Sequence, residues 1–213
     1  VIDPHIDDLV RRYPALLVCA QDIRSGYHLL LEALGEGGKL LLCGNGGSAA
    51  DADHWSGELL KSFREPRPLT PYWQKRLGEP LGMKLQQGIP AVPLPALTAH
   101  NTAFANDESA EFVYSQLVWA LGREGDALAA ISTSGQSRNV IHAARVAREK
   151  DIAVLALTGA NGGELAALAD VAIRVPADVT HEIQELHLPV YHTLSLMLQD
   201  ALCPLHKEAL EEE

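Results

Sequence analysis

Residues 127–137 read Ala-Leu-Ala-Ala-Ile-Ser-Thr-Ser-Gly-Gln-Ser, and this stretch decides the fold of the 213-residue chain. Ala127 to Ile131 is an apolar run with no polar alternation, the pattern of a short strand buried on both faces. It runs into a hydroxyl-rich turn, Ser132 to Ser137, and then into a helical stretch from Arg138 to Lys150. Working outward, the same unit recurs. Lys39 to Cys43 leads through Gly44-Asn45-Gly46-Gly47-Ser48 into Ala49 to His54, a segment of helical propensity. Ile152 to Leu157 leads through Thr158 to Gly163 into a short helix from Glu164 to Leu168, and Val171 to Val175 is a further strand. Ala91 to Leu94 supplies one more, edge-like because Pro90, Pro93 and Pro95 cannot donate to a ladder. Strands alternating with helices predict an α/β protein, a three-layer α-β-α sandwich around a mostly parallel sheet.

Ahead of the sheet, Leu9, Tyr13, Leu16, Leu17, Ala20, Ile23, Tyr27, Leu30, Leu31 and Leu34 recur at helical spacing, with Pro14 dividing the segment and Gly35 to Gly38 ending it. Residues 1–35 therefore read as an N-terminal helical extension and 36–213 as the main domain. A last amphipathic helix is expected from His181 to Leu202, with Pro189 inside it.

In a parallel sheet, ligands bind where strand carboxyl ends meet the following loops. Ser132, Thr133, Ser134 and Ser137 place four hydroxyls in six residues at such a junction. A helix start offers unpaired amides and partial positive charge, so this cluster is either a phosphate cradle or a well-capped helix start. The Gly44–Ser48 turn lacks the Gly-Lys-Ser/Thr of a P-loop. It also lacks the acidic residue about 20 positions on that a dinucleotide site requires, so it reads as a tight turn lining a pocket. His54 and Glu58, four apart, share a helix face, as do Gln184 and His192, eight apart. Such pairs supply metal ligands, or a base with its orienting partner, or ordinary surface pairs.

Composition narrows the classes. Against 28 acidic residues there are 17 Lys and Arg, a formal net charge of −11, which argues against nucleic acid and anionic membranes as partners. No apolar run approaches the roughly 20 residues of a membrane span. The opening Val1-Ile2-Asp3-Pro4-His5 shows no signal-peptide pattern. Cys19, Cys43 and Cys203 are widely spaced and read as thiols of a reducing cytoplasm.

In order along the chain, the Cys43–Ser48 turn, His54 with Glu58, Asn106-Asp107, Gly122-Arg123-Glu124-Gly125-Asp126, Ile131–Ser137, Leu157-Thr158-Gly159, Ile183-Gln184-Glu185-Leu186-His187 and His192 resemble the sugar isomerase (SIS) domain superfamily. Within it they resemble the phosphoheptose isomerase family, over about Leu16 to Leu202. The resemblance implies interconversion of sedoheptulose 7-phosphate and D-glycero-D-manno-heptose 7-phosphate. Ser132, Thr133, Ser134, Ser137 and Ser48 would hold phosphate. Asn45, Gly46, Gly47, Asn106, Asp107 and Gln184 would line the sugar, and Glu58 with His192 would move the proton through an enediol. It further implies a zinc ion on His54, Glu58, Gln184 and His192 in metal-containing members, and a homotetramer with sites at subunit junctions.

A non-catalytic relative that binds the replication initiator DnaA lacks residues equivalent to Glu58 and His192, which this chain keeps. Regulators and isomerases of other ketose phosphates share the superfamily. The 64–90 connector, with Pro66, Pro68, Pro71 and Pro80, is longer than the family's usual one. It reads equally as a surface excursion or as a lid or subunit contact carrying Lys75, Arg76 and Lys84.

Overall fold

The computed structural model describes residues 3–203; Val1 and Ile2 of the opening stretch, and 204–213, lie outside the described residues. Five strands, β1 (Leu40–Cys43), β2 (Ala91–Pro93), β3 (Ala127–Ile131), β4 (Ala153–Thr158) and β5 (Val171–Arg174), pair in the order β2-β1-β3-β4-β5. Every pairing is parallel. β2, with Pro93, takes an edge, where a missing donor costs no ladder bond.

The helices in chain order are α1 (Pro4–Arg12), α2 (Ala20–Gly35), α3 (Gly47–Leu60), α4 (Pro71–Leu77), α5 (Leu81–Lys84), α6 (Thr98–Phe104), α7 (Val113–Leu121), α8 (Arg138–Glu149), α9 (Gly163–Leu168) and α10 (Thr180–Leu202). The two-residue period of the strands divides them into two layers. Leu40, Leu42, Ala127, Ala129, Ile131, Leu155 and Leu157 share a core with Leu9 of α1, Leu30 of α2, Trp55 of α3 and Leu194 of α10. Leu41, Cys43, Leu128, Ala130, Val154 and Ala156 face Val118 of α7, Val140 of α8 and Leu165 of α9. Each fully buried leucine contributes roughly 1.5–3 kcal/mol, so the alternating strand residues hold both layers at once.

The expected N-terminal helix is two helices. Asp3 caps α1 by accepting from His5 N at 2.8 Å, so α1 begins at Pro4, ahead of Leu9, the first residue of the apolar pattern. Pro14 opens a 3-10 segment, Pro14–Cys19, that turns the chain into α2, because a proline ring fits a first turn without losing a hydrogen bond. α10 continues through Pro189, with the buried Thr193 hydroxyl donating to the Pro189 carbonyl at 2.9 Å. Among the described residues no helix is long and apolar enough to cross a membrane.

Candidate active site

α3 and α10 run side by side in the same direction. At one end, the Gln184 carboxamide lies against Gly47; a Cβ there would stand 2.5 Å from its Nε2, so glycine is what admits it. In the middle, one donor atom each from His54, Glu58 and His192 lie within 4.8 Å of one another. Further on, the Gln199 side-chain oxygen accepts from Phe63 N at 3.2 Å. Trp55 and Tyr191 hold the two helices together, with their rings stacked at 5.6 Å and an interplanar angle of 19°. The sequence pairs His54 with Glu58 and Gln184 with His192; packing of α3 on α10 brings the pairs into one seam.

His54 Nε2 is 3.2 Å from Glu58 Oε1, and Lys61 Nζ is 3.7 Å from Glu58 Oε2. The His54 and His192 rings meet edge to face at 5.1 Å. His192 Nε2 is buried and has no hydrogen-bond partner among the described residues. Burial first, and the His54 imidazole second, hold His192 below the ordinary histidine range, with Glu58 acting the other way. Both effects favour the neutral imidazole, and its Nε2 is not committed to any hydrogen bond among the described residues.

The two loops meet at the carboxyl edge of the sheet. Asn45 and Asn139 exchange amide hydrogen bonds, both at 2.8 Å, which ties the glycine-rich turn to the start of α8. The Tyr114 hydroxyl donates to the Gly44 carbonyl at 2.6 Å from beneath. Ser132 and Ser48 are buried, and Ser132 Oγ donates to Ser137 Oγ at 3.0 Å. Gly46, which precedes α3, has φ +56°. Thr133 and Ser134 line a cleft of about 440 Å³ with Gly159, Asn161, Asp178 and Ile183, next to Gln184 in sequence.

Gly135 carries φ +63°, and a Cβ on it would collide with the Gly162 carbonyl. Gly135→Ala is expected to lower stability by about 2 kcal/mol or more, since left-handed backbone costs an L-residue roughly 1–2 kcal/mol before the collision is counted. The shift of the urea midpoint reads this, and an unchanged midpoint would contradict it.

Asn106 and Asp107 sit exposed on a π-helical turn, Ala105–Ser109, bonded to each other at 2.8 Å. Among the described residues, neither hydrogen-bonds to the two loops. The chain next reaches Glu111, whose carboxylate is 3.7 Å from the Arg138 guanidinium of α8. A cavity of about 480 Å³ lies at the opposite edge of the sheet and is lined by His28, Glu32, Asp126, Asp151 and Asp170. Two of its carboxylates serve the fold: Asp126 accepts from Lys39 N at 2.9 Å and Asp170 from Val154 N at 2.7 Å.

Residue-by-residue reading of the sequence missed several groups. Asp51 and Tyr191 flank His54; the spacing of Asp51 three residues before His54 was the one available signal. Asn139 and Tyr114 carry no motif. Arg67, in the proline-rich connector, is fully buried. Its guanidinium donates to Leu59 O at 2.8 Å, Glu58 O at 3.3 Å and Gln199 Oε1 at 2.9 Å.

A parallel sheet with a hydroxyl-lined loop after its central strand, beside a histidine–glutamate seam, defines a sugar-isomerase type of α/β domain. Residues 87–159 match the family model described as SIS domain. A phosphoheptose isomerase of Alkalilimnicola ehrlichii is 42% identical over 202 residues, 93% of this chain and 93% of that protein. The structure of a phosphoheptose isomerase from Neisseria gonorrhoeae superposes with a TM-score of 0.74 at 36% identity, covering 92% of this chain and 95% of that one. The corresponding Francisella tularensis structure gives 0.73 at 31% identity, covering 87% and 91%. This chain belongs to the phosphoheptose isomerase family.

Proposed function

We propose that the chain interconverts sedoheptulose 7-phosphate and D-glycero-D-manno-heptose 7-phosphate, with Glu58 and His192 as the acid/base pair. The convergence of Glu58 with an unpartnered, buried His192 nitrogen carries this reading. In the ketose-to-aldose direction, Glu58 takes a proton from C1 while His192, held toward its neutral form by burial, takes the O1 hydroxyl proton and passes it to O2, giving an enediol intermediate with its negative charge on O1. The proton on Glu58 then goes to C2 as the C1–O1 bond becomes the aldehyde carbonyl.

Ser132, Thr133, Ser134 and Ser137, with Ser48, hold the phosphate through hydroxyls and amides. This is how a chain of net charge −11 takes an anion. Asn45, Gly46, Gly47, Asn106, Asp107 and Gln184 line the sugar. Gly47 and His54 are seven residues apart on α3, about 10 Å along the axis. A chain of seven carbons with a terminal phosphate suits that separation between the loop end and the proton-transfer end.

The donor set of His54, Glu58 and His192, with the Gln184 amide along the same seam, suits zinc, a borderline ion that takes nitrogen and oxygen ligands. When bound there, zinc supplies a Lewis acid beside the sugar carbonyl.

A homotetramer with sites at subunit junctions fits the half-exposed seam and the exposed Leu17, Val18 and Trp119. The connector adds to that surface, since α4 buries none of its residues and exposes Tyr72 and Trp73. We place the protein in the cytoplasm, where its free thiols, Cys19 and Cys43 buried among them, remain reduced.

The test is turnover of sedoheptulose 7-phosphate in deuterated water, followed by NMR. The expected product is the aldose with deuterium at C2, because the transferred proton exchanges with solvent on the base. Absence of turnover, with or without added zinc, overturns the proposal.

A further inference from the structure

Tyr191 has no part in the chemistry above, yet its hydroxyl occupies a defined place behind His54. The side chain is fully buried, stacked on Trp55 and edge-on to the His54 ring at 5.6 Å. Its oxygen is 3.0 Å from His54 Nδ1 and 3.3 Å from Asp51 Oδ1. Asp51 stands one helical turn before His54 on α3, and its other oxygen, Oδ2, is buried without a partner among the described residues.

We propose that Asp51 and Tyr191 form an outer pair that sets the tautomer of His54, so that its Nε2 lone pair is offered to a metal shared with Glu58 and His192. The inference rests on the zinc reading of that cluster. A neutral imidazole has one ring proton. When Nε2 serves as a ligand, that proton is on Nδ1 and needs an acceptor. The Tyr191 oxygen accepts it, provided the phenol's own proton points elsewhere, and Asp51 Oδ1 is the acceptor in reach. The chain of donation is therefore His54 Nδ1–H to Tyr191 Oη, and Tyr191 Oη–H to Asp51 Oδ1. Each group donates or accepts once, and none needs a second proton. Tyr191 and Asp51 touch neither the cluster's centre nor substrate; they are positioning residues.

Y191F removes only the hydroxyl and keeps the ring against Trp55. Zinc binding by the substrate-free full chain, measured by competition with a chromophoric chelator, is expected to weaken by about 10- to 100-fold, the usual cost of losing an outer-sphere partner. The urea midpoint is expected to stay near that of the wild type. In the zinc-loaded wild type, a 15N-edited spectrum is expected to show a protected His54 Nδ1–H proton, and this signal is lost in Y191F. D51N, at a partly exposed position, carries the same expectation if Y191F fails to fold. A zinc dissociation constant in Y191F or D51N within twofold of the wild type overturns the inference while leaving the zinc site standing. A wild-type chain that takes up no zinc overturns the zinc reading and this inference with it.

Discussion

Glu58→Gln is expected to lower kcat on sedoheptulose 7-phosphate by about 10²- to 10⁴-fold, the range attached to a general acid–base group. Glutamine keeps the length and one acceptor oxygen of the side chain, so α3 and its packing on α10 stay in place. What disappears is the capacity to hold a proton taken from carbon. Because the loss falls on the proton-transfer step, kcat and kcat/KM are expected to fall together, with KM nearly constant. His192→Ala is expected to behave alike, as it removes the nitrogen that the seam leaves free. Steady-state kinetics with a circular-dichroism check of the fold reads both, and turnover near the wild-type value in either variant would remove that residue from the mechanism.

Arg67→Met is expected to lower unfolding free energy by about 3 kcal/mol. Glu58 O would lose its donor, at roughly 1–3 kcal/mol, while Leu59 O and Gln199 Oε1 would each lose one of two, with Ile89 N and Phe63 N remaining, and the Arg67 packing is lost besides. Among the described residues Arg67 has no carboxylate partner within ion-pair distance. Its charge is balanced by the carboxyl end of α3, where the last carbonyls lack intrahelical donors and carry partial negative charge. The same contacts fasten the connector to both helices of the seam. Activity is therefore expected to fall with stability, since Glu58 sits on the last turns of α3. Arg67→Lys is not expected to rescue, because an ammonium is a point donor and cannot reproduce the planar fork that reaches three acceptors. Urea denaturation measures the effect, and a midpoint unchanged in Arg67→Met would contradict this account of the buried charge.

The glycine-rich turn and the hydroxyl loop are legible in the sequence alone, because each follows an apolar run too short and too continuous to be anything but a buried strand. The limits of the expected strands and of α8, α9 and α10 fall within a residue or two, whereas α3 runs on from His54 to Leu60, α4 to α7 have no counterpart in the sequence reading, and the N-terminal helix differs. There Asp3 and Pro4 set an earlier start than the apolar spacing suggests. Asn106 and Asp107 are legible only through resemblance, and the fold places them on an exposed π-helical turn. The connector is legible as an excursion. That its Arg67 turns back into the core is not, since a lone arginine between prolines has no periodicity to read.

By itself the sequence determined the layers. A strand's two-residue period and a helix's three-to-four-residue period sort apolar side chains to faces before any long-range contact exists. It also determined the chemistry of the hydroxyl-rich loop, whose hydroxyls, glycine and helix start are contiguous. Only the tertiary structure decided that His54 and Glu58 meet His192, across more than a hundred residues of chain. It alone favoured the neutral form of His192 and left its Nε2 without a partner among the described residues, and it alone set Tyr191 and Asp51 behind His54. The physical reason is the same in each case. Burial and hydrogen-bond partners depend on which helix lies beside which, and two helices packed in parallel register create neighbours that no local spacing encodes.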